Sequence, residues 1–250
     1  MRKWLVLGII VTLGGTSCQR PRADSITTFQ TPKQRSVQVL HFEEEAYSDR
    51  DQVQPLDTAI GAAGDTYAGT SRGDVKTSIC HGAQQKTFTT LNQLLTWLPD
   101  DDVIWDRNPP VSTARDSPRI AEENWLVTVD AYLWAAKREP DNDYHLILGR
   151  APWQFKKFMT IEISGLPKSG HPDRPALKTV RDDFKAYFAD SLPGSSGYAI
   201  YDDPIPVQVT GCLFFDASHH AGQVGPRALG TRPKTTWEIH PVTEIVFEPE

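Results

Sequence analysis

Five stretches between Trp125 and Phe247 alternate apolar and polar residues, and turn-forming Gly, Pro and Asp residues separate them. On a β-strand, residues two apart share a face, so each stretch presents one apolar side. Trp125, Val127, Val129, Ala131 and Leu133 share a face in the first. Tyr144, Leu146 and Leu148 do so in the second, and Ile161 and Ile163 in the third, Phe158–Ile163. The fourth runs from Pro206 to Phe215 with Val207, Val209, Gly211, Leu213 and Phe215 on one side. The fifth spans Thr236 to Phe247, with a bulge expected near Pro241. Five one-sided strands need one interior to share, and few folds provide it.

Between the third and fourth strands, residues 164–178 form a Gly/Pro-rich loop. Val180, Phe184, Tyr187 and Phe188 then give Thr179–Phe188 the spacing of a short amphipathic helix. The order β-β-β-α-β-β is that of the OB-fold, a five-stranded Greek-key barrel, and residues 121–250 are expected to form it. A β-sandwich with one stray helix is the alternative. No internal repeat interrupts the pattern.

The first 120 residues read differently. Arg2 and Lys3 precede an apolar run, Trp4–Leu13, then small residues and Cys18. Ten apolar residues are too few to span a membrane and match a signal-peptide core. The segment resembles a bacterial lipoprotein signal, which implies cleavage before Cys18 and its acylation, although Gly15 stands where such signals usually carry leucine. Residues 19–36 are polar and read as a flexible tether. Residues 37–120 hold too few apolar runs for a core of their own and read as an N-terminal extension packing on the barrel. Within it, Val37–Phe42 suits a strand, and Lys86–Leu98 has helical spacing with Thr87 or Thr90 as cap and Pro99 as stop.

Removal of residues 1–18 takes the formal charge from −6 to −8. So acidic a chain is ill suited to strong nonspecific binding of nucleic-acid phosphates. Beyond Cys18 only Cys80 and Cys212 remain, either as a disulfide or as thiols with Cys212 buried in an apolar strand. The acidic runs Glu43–Glu45 and Asp100–Asp102 read as solvated surface.

Two motifs carry the clearest chemistry. Asp143-Tyr144-His145 and Glu238-Ile239-His240 each place a carboxylate and a histidine on one strand face, away from the apolar one. Asp143, His145, Glu238 and His240 together would make a donor set for a divalent zinc, manganese or iron ion. Their strands are not neighbours in the expected barrel, so the pairs meet only if the extension or a bulge at Pro241 brings them together. Otherwise each histidine bonds its own carboxylate or a loop carbonyl and locks its strand to the extension. Arg227, Arg232 and Lys234 lie in the glycine-bearing loop after His219-His220. In OB-folds that loop helps bind oligonucleotides and oligosaccharides, so an anionic ligand is the expectation. Cys80-His81 is at most a metal half-site. Phosphate-binding glycine loops, nucleophile elbows and His-Glu-x-x-His are absent from the sequence.

At Val127–Leu133, Asp141–Leu146, Val207–Gly211 and Trp237–Val242 the chain resembles a group of bacterial exported proteins with no settled activity. The likeness spans roughly residues 120–247 and implies the barrel and the pairing of the two histidine motifs. Together these features lead to an expected cell-envelope protein anchored through Cys18. Its expected role is a noncatalytic module binding an anionic glycan, oligonucleotide or partner. The alternative is a metal-dependent hydrolase of phosphodiesterase or nuclease type that uses the two carboxylate–histidine pairs.

Overall fold

The alternating runs become long, paired strands. The structure, a computed structural model, describes residues 23–42 and 64–250. Residues 1–18, expected as a signal segment ending at Cys18, and Glu43–Glu45 lie outside them. Among the described residues, no helix is long and apolar enough to cross a membrane.

The protein is mainly β. In chain order the elements are β1 (Ser25–Gln30), β2 (Ser36–His41), α1 (Gly73–Lys76), β3 (Gln84–Phe88), α2 (Leu91–Trp97) and α3 (Asp101–Trp105). They continue with β4 (Trp125–Arg138), β5 (Tyr144–Gly149), β6 (Phe158–Ile163), α4 (Arg174–Phe188), β7 (Ala199–Phe215) and β8 (Trp237–Phe247). All eight strands belong to one mixed sheet in the order β1-β2-β7-β8-β6-β5-β4-β3, and β7 also pairs with β4. Five strands therefore pair in a circuit, β4-β5-β6-β8-β7 and back to β4. Its narrowest seam is the parallel pairing of β6 with β8 at Thr160–Glu238 and Ile161–Ile239.

The alternation explains what the circuit encloses. Val127, Val129, Leu146, Leu148, Ile161, Ile163, Val207, Val209, Trp237 and Ile239 are buried in one apolar cluster. The helix α4 adds Val180, Phe184 and Phe188 to it, with Phe184 against Tyr144 at 4.7 Å between ring centres. At about 1.5–3 kcal/mol per fully buried large apolar side chain, this shared interior is the main stabilising term. A bulge between Leu133 and Ala135 of β4 turns Ala135 outward. There Trp134 and Ala135 join a second cluster with Ile147, Phe158, Tyr198 and Ile200.

Three readings need correction. Ser25–Gln30, taken as tether, is a strand paired antiparallel with β2. Only Phe29 of that strand is buried, so an edge strand leaves almost no apolar period to detect. Residues 84–88, partly assigned to a helix, form a strand parallel to β4, and the helix begins only after Thr90, whose hydroxyl accepts from Gln93 N. Asp101 is no solvated charge. Its carboxylate accepts from Thr235 Oγ1 at 2.8 Å and Thr236 N at 2.6 Å, which fixes the approach to β8.

Residues 64–82 cross the outer face of β5, β6 and β8. Tyr67 N donates to Leu166 O at 2.9 Å, and Ala68 N to Asp141 O at 2.9 Å. Glycine is required at 165, because a Cβ there would sit 2.7 Å from Tyr67 Cα. Two long-range ties hold the segment down. Cys80 and Cys212 form a disulfide. Arg72, in a left-handed conformation just before α1, pairs with Glu123 at 2.6 and 2.8 Å, and both side chains are buried.

Candidate metal centre and cavity

The two carboxylate–histidine motifs meet through a residue that neither contains. β6 lies between β5 and β8. Antiparallel pairing sets His145 opposite Glu162, and parallel pairing sets Glu238 opposite Thr160. Residues two apart share a face, so Glu162, Asp143, His145, Glu238 and His240 gather on the side away from the apolar core. Neither the extension nor the Pro241 bulge is what joins the pairs; the middle strand does it. All five residues are buried, because residues 64–82 cover them.

The donors form two sets, Asp143–Glu162–His240 and His145–Glu162–Glu238, and within each set the donor atoms lie within 4.8 Å of one another. His240 Nδ1 is 2.8 Å from Glu162 Oε2 and 3.9 Å from Glu238 Oε2, and its Nε2 is 3.6 Å from Asp143 Oδ2. His145 Nδ1 is 2.7 Å from Tyr198 OH and 3.5 Å from Glu139 Oε1. His240 hydrogen-bonds Ser164 and His145 hydrogen-bonds Tyr198, rather than the carboxylate of its own motif.

Hydrogen bonding places a proton on Nε2 of His240. The Ser164 hydroxyl donates its only proton to Lys76 O, so its oxygen must accept from His240 Nε2 at 2.9 Å. Burial pushes the His240 pKa below its usual value, and Glu162 pulls it the other way. Its Nδ1 faces Glu162 Oε2 at 2.8 Å. Four further buried polar atoms matter here. Asp143 Oδ2, His145 Nε2, Glu162 Oε2 and Glu238 Oε2, like His240 Nδ1, lack a hydrogen-bond partner among the described residues.

Electrostatics divide the acids. Burial, reinforced by Asp141 and Glu162, raises Asp143 well above the carboxylate range. Burial with Glu162 and Asp216 does the same to Glu238. Asp141 is raised to about 6 by burial and by Glu162. Glu162 stays well below its usual value, since His240 and Lys76 outweigh its burial. Lys76, buried on α1, is held charged by Asp216 and Glu162 against the cost of burial.

Beside the cluster lies a cavity of about 420 Å³ whose walls include Lys76, His145, Glu162, Glu238, Tyr198 and His219. His219 Nδ1 is 2.5 Å from Asp216 Oδ2. That bond raises the histidine pKa although burial opposes it, while Lys76 and His219 hold Asp216 well below the carboxylate range against its own burial. Ser71 and Ser218 face each other across the rim at 2.6 Å between hydroxyls.

Arg227, Arg232 and Lys234 line a separate, open depression with Gly222, Gly230 and Thr231, and Arg232 also reaches the main cavity. Cys80-His81 is no metal half-site: Cys80 is in the disulfide, and His81 Nε2 is 2.6 Å from Asp173 Oδ1. Glu162, Lys76 and Asp216 escaped the sequence reading. Only Glu162 left a signal, as the lone carboxylate on the polar face of the third strand. No protein-family model matches the chain, and no curated protein or solved structure gives a significant match.

Proposed function

We propose that this is an exported hydrolase of phosphodiesters or related anionic esters, with a divalent-metal centre built on Glu162. The observation that carries the reading is the pair of buried donor sets, Asp143–Glu162–His240 and His145–Glu162–Glu238, which share Glu162 on the middle of three adjacent strands. Two imidazoles and three carboxylates suit zinc, manganese or iron. Protons retained by Asp143 and Glu238 are what a cation would displace. The pairing circuit, with α4 between its third and fourth strands, supports an OB-like barrel as the scaffold. The Cys80–Cys212 bridge is compatible with an oxidising compartment.

A divalent ion held by Glu162 and its neighbours would supply polarisation of an ester phosphoryl group and a more acidic water. The chain's own residues supply the rest. The Lys76 ammonium, fixed in the cavity wall, neutralises charge that builds on the phosphoryl oxygens. His219, whose pKa the Asp216 bond raises, gives its proton to the leaving oxygen as the P–O bond breaks. The proton lost by the attacking water restores it. The reading as a noncatalytic binding module rests on the β-rich fold, the acidic charge and the missing enzyme signatures, with the open Arg227–Arg232–Lys234 depression as its candidate ligand site.

The test is metal content after extensive dialysis, with turnover of bis(p-nitrophenyl) phosphate, for wild type and Glu162→Gln. Wild type should retain stoichiometric metal and hydrolyse the ester, and the variant should lose both while keeping its circular dichroism. Unchanged metal content in Glu162→Gln, or a wild type that neither holds metal nor gains thermal stability from added Mn²⁺ or Zn²⁺, refutes the centre.

A further inference from the structure

The β5–β6 connection, residues 150–157, carries the two most exposed large apolar side chains among the described residues. Trp153 is 78% exposed and Phe155 91%. A tryptophan and a phenylalanine held in water contribute little to folding, and side by side they form an adhesive patch. The connection is rigid at its base. Gln154 N donates to Ala151 O at 2.9 Å, Arg150 Nε to Gln154 Oε1 at 3.0 Å, and Lys157 Nζ to Asn92 Oδ1 at 3.2 Å. Lys156 Nζ donates to Leu229 O at 2.7 Å, and the Trp153 ring meets Tyr132 edge-on at 6.0 Å. The cations are thus drawn back toward the body, while Phe155 stands out from it.

Charge decides the occupant. Residues 150–157 hold Arg150, Lys156 and Lys157 and no acid, in a chain whose net charge is −6. Aromatic side chains at a tip with lysine and arginine set behind them match the layering of a membrane interface. The rings enter the headgroup region and the cations meet anionic headgroups. A single-stranded nucleic acid would call for a groove in which cations track the backbone, whereas Trp153 and Phe155 border only a shallow open depression with Arg150, and Lys156 and Lys157 reach away to Leu229 O and Asn92.

We propose that this tip docks the protein on an anionic phospholipid surface, with Trp153 and Phe155 inserted at headgroup depth. The proposal is independent of the metal centre. It is tested with the full chain on phosphatidylcholine vesicles, with and without phosphatidylglycerol, containing brominated acyl chains. The emission difference between wild type and Trp153→Phe isolates Trp153 from the other tryptophans and from any tethering elsewhere. With phosphatidylglycerol, the Trp153 emission should shift to the blue and be quenched by bromine. It should lose both effects in pure phosphatidylcholine or at high salt, and Phe155→Ala should weaken the quenching several-fold. Three results overturn the proposal: Trp153 emission unchanged by vesicles, a lipid-free blue shift that grows with protein concentration, or protection only by an added single-stranded oligonucleotide. The second would assign the tip to a second copy of the chain and the third to nucleic acid.

Discussion

Glu123→Ala tests whether the cover over the acidic cluster is held by the Arg72–Glu123 pair. Both side chains are buried, and the carboxylate does four things at once. It takes Arg72 Nη1 at 2.6 Å and Nη2 at 2.8 Å, and it accepts Phe215 N and Ile120 N at 2.8 Å each. Removing one partner of a buried pair costs about 3–5 kcal/mol, because the other charge stays buried. Two orphaned amides push the figure toward the upper end of that range. At about 2–4 °C per kcal/mol for a chain of this size, the melting temperature should fall by about 6–20 °C. Arg72→Met in the same chain removes the stranded guanidinium and packs against Phe214, whose ring now lies 4.7 Å from Arg72 Cζ. The double variant should therefore be more stable than Glu123→Ala alone, with a coupling of about 2 kcal/mol or more. Urea unfolding followed by circular dichroism, with all four chains in one cycle, gives the number. A single-variant cost below about 1 kcal/mol, or additivity within about 0.5 kcal/mol, refutes the argument.

Two further outcomes follow from the same geometry. Gly211→Ala would bring a Cβ to 2.4 Å from Ile239 Cγ2, 2.6 Å from Pro241 O and 2.9 Å from Val242 Cα, so β8 must move beside His240. It should cost about 1–3 kcal/mol and reduce bound metal, whereas Gly194→Ala, with nothing within 4 Å, should leave both unchanged. Asp65 is lowered from 3.8 to about 2, since bonds from Lys185 and Arg181 outweigh its burial. A depressed carboxylate contributes stability above its unfolded value and loses it as pH falls through its folded value, here between about pH 4 and 2. Asp65→Asn should flatten the acid limb of the melting temperature in that window; an unaltered limb would show that the pair is not coupled to folding.

The strands were legible because burial on one side writes a period of two into the sequence. Phe158–Ile163 matches its expected limits, while β4 and β7 run longer, to Arg138 and from Ala199. What escaped was nonlocal. Edge strand β1 has one buried residue, Phe29, and so no period. Lys76 sits on a four-residue helix whose position depends on Arg72–Glu123, 51 residues apart, and on Cys80–Cys212, 132 apart. No local pattern encodes such contacts, and a count of two cysteines leaves pairing open. Glu162 is the instructive miss. The two histidine motifs drew attention because each repeats a carboxylate and an imidazole, but the third strand carries a single acid. Its importance comes from strand order, which places it between the other two.

Strand alternation by itself would leave Asp143, Glu162, Glu238 and His240 on the wet side of the sheet, where carboxylates cost nothing. The chain instead covers that face with residues 64–82 and fastens the cover by a disulfide and a buried ion pair. Desolvation then keeps protons on Asp143 and Glu238 while Lys76 holds Glu162 and Asp216 ionised. Apolar residues of similar volume would hold such a cover down with no charge to compensate, so stability does not account for the arrangement. Perturbed acids and a fixed ammonium against one cavity, with His240 and Asp143 packed behind Glu162, are instead what cation binding and charge stabilisation require. The cover is therefore best understood as the device that seals Asp143 and His240 behind the cavity wall, and on the proposed metal centre its loosening should reduce metal affinity before it unfolds the sheet.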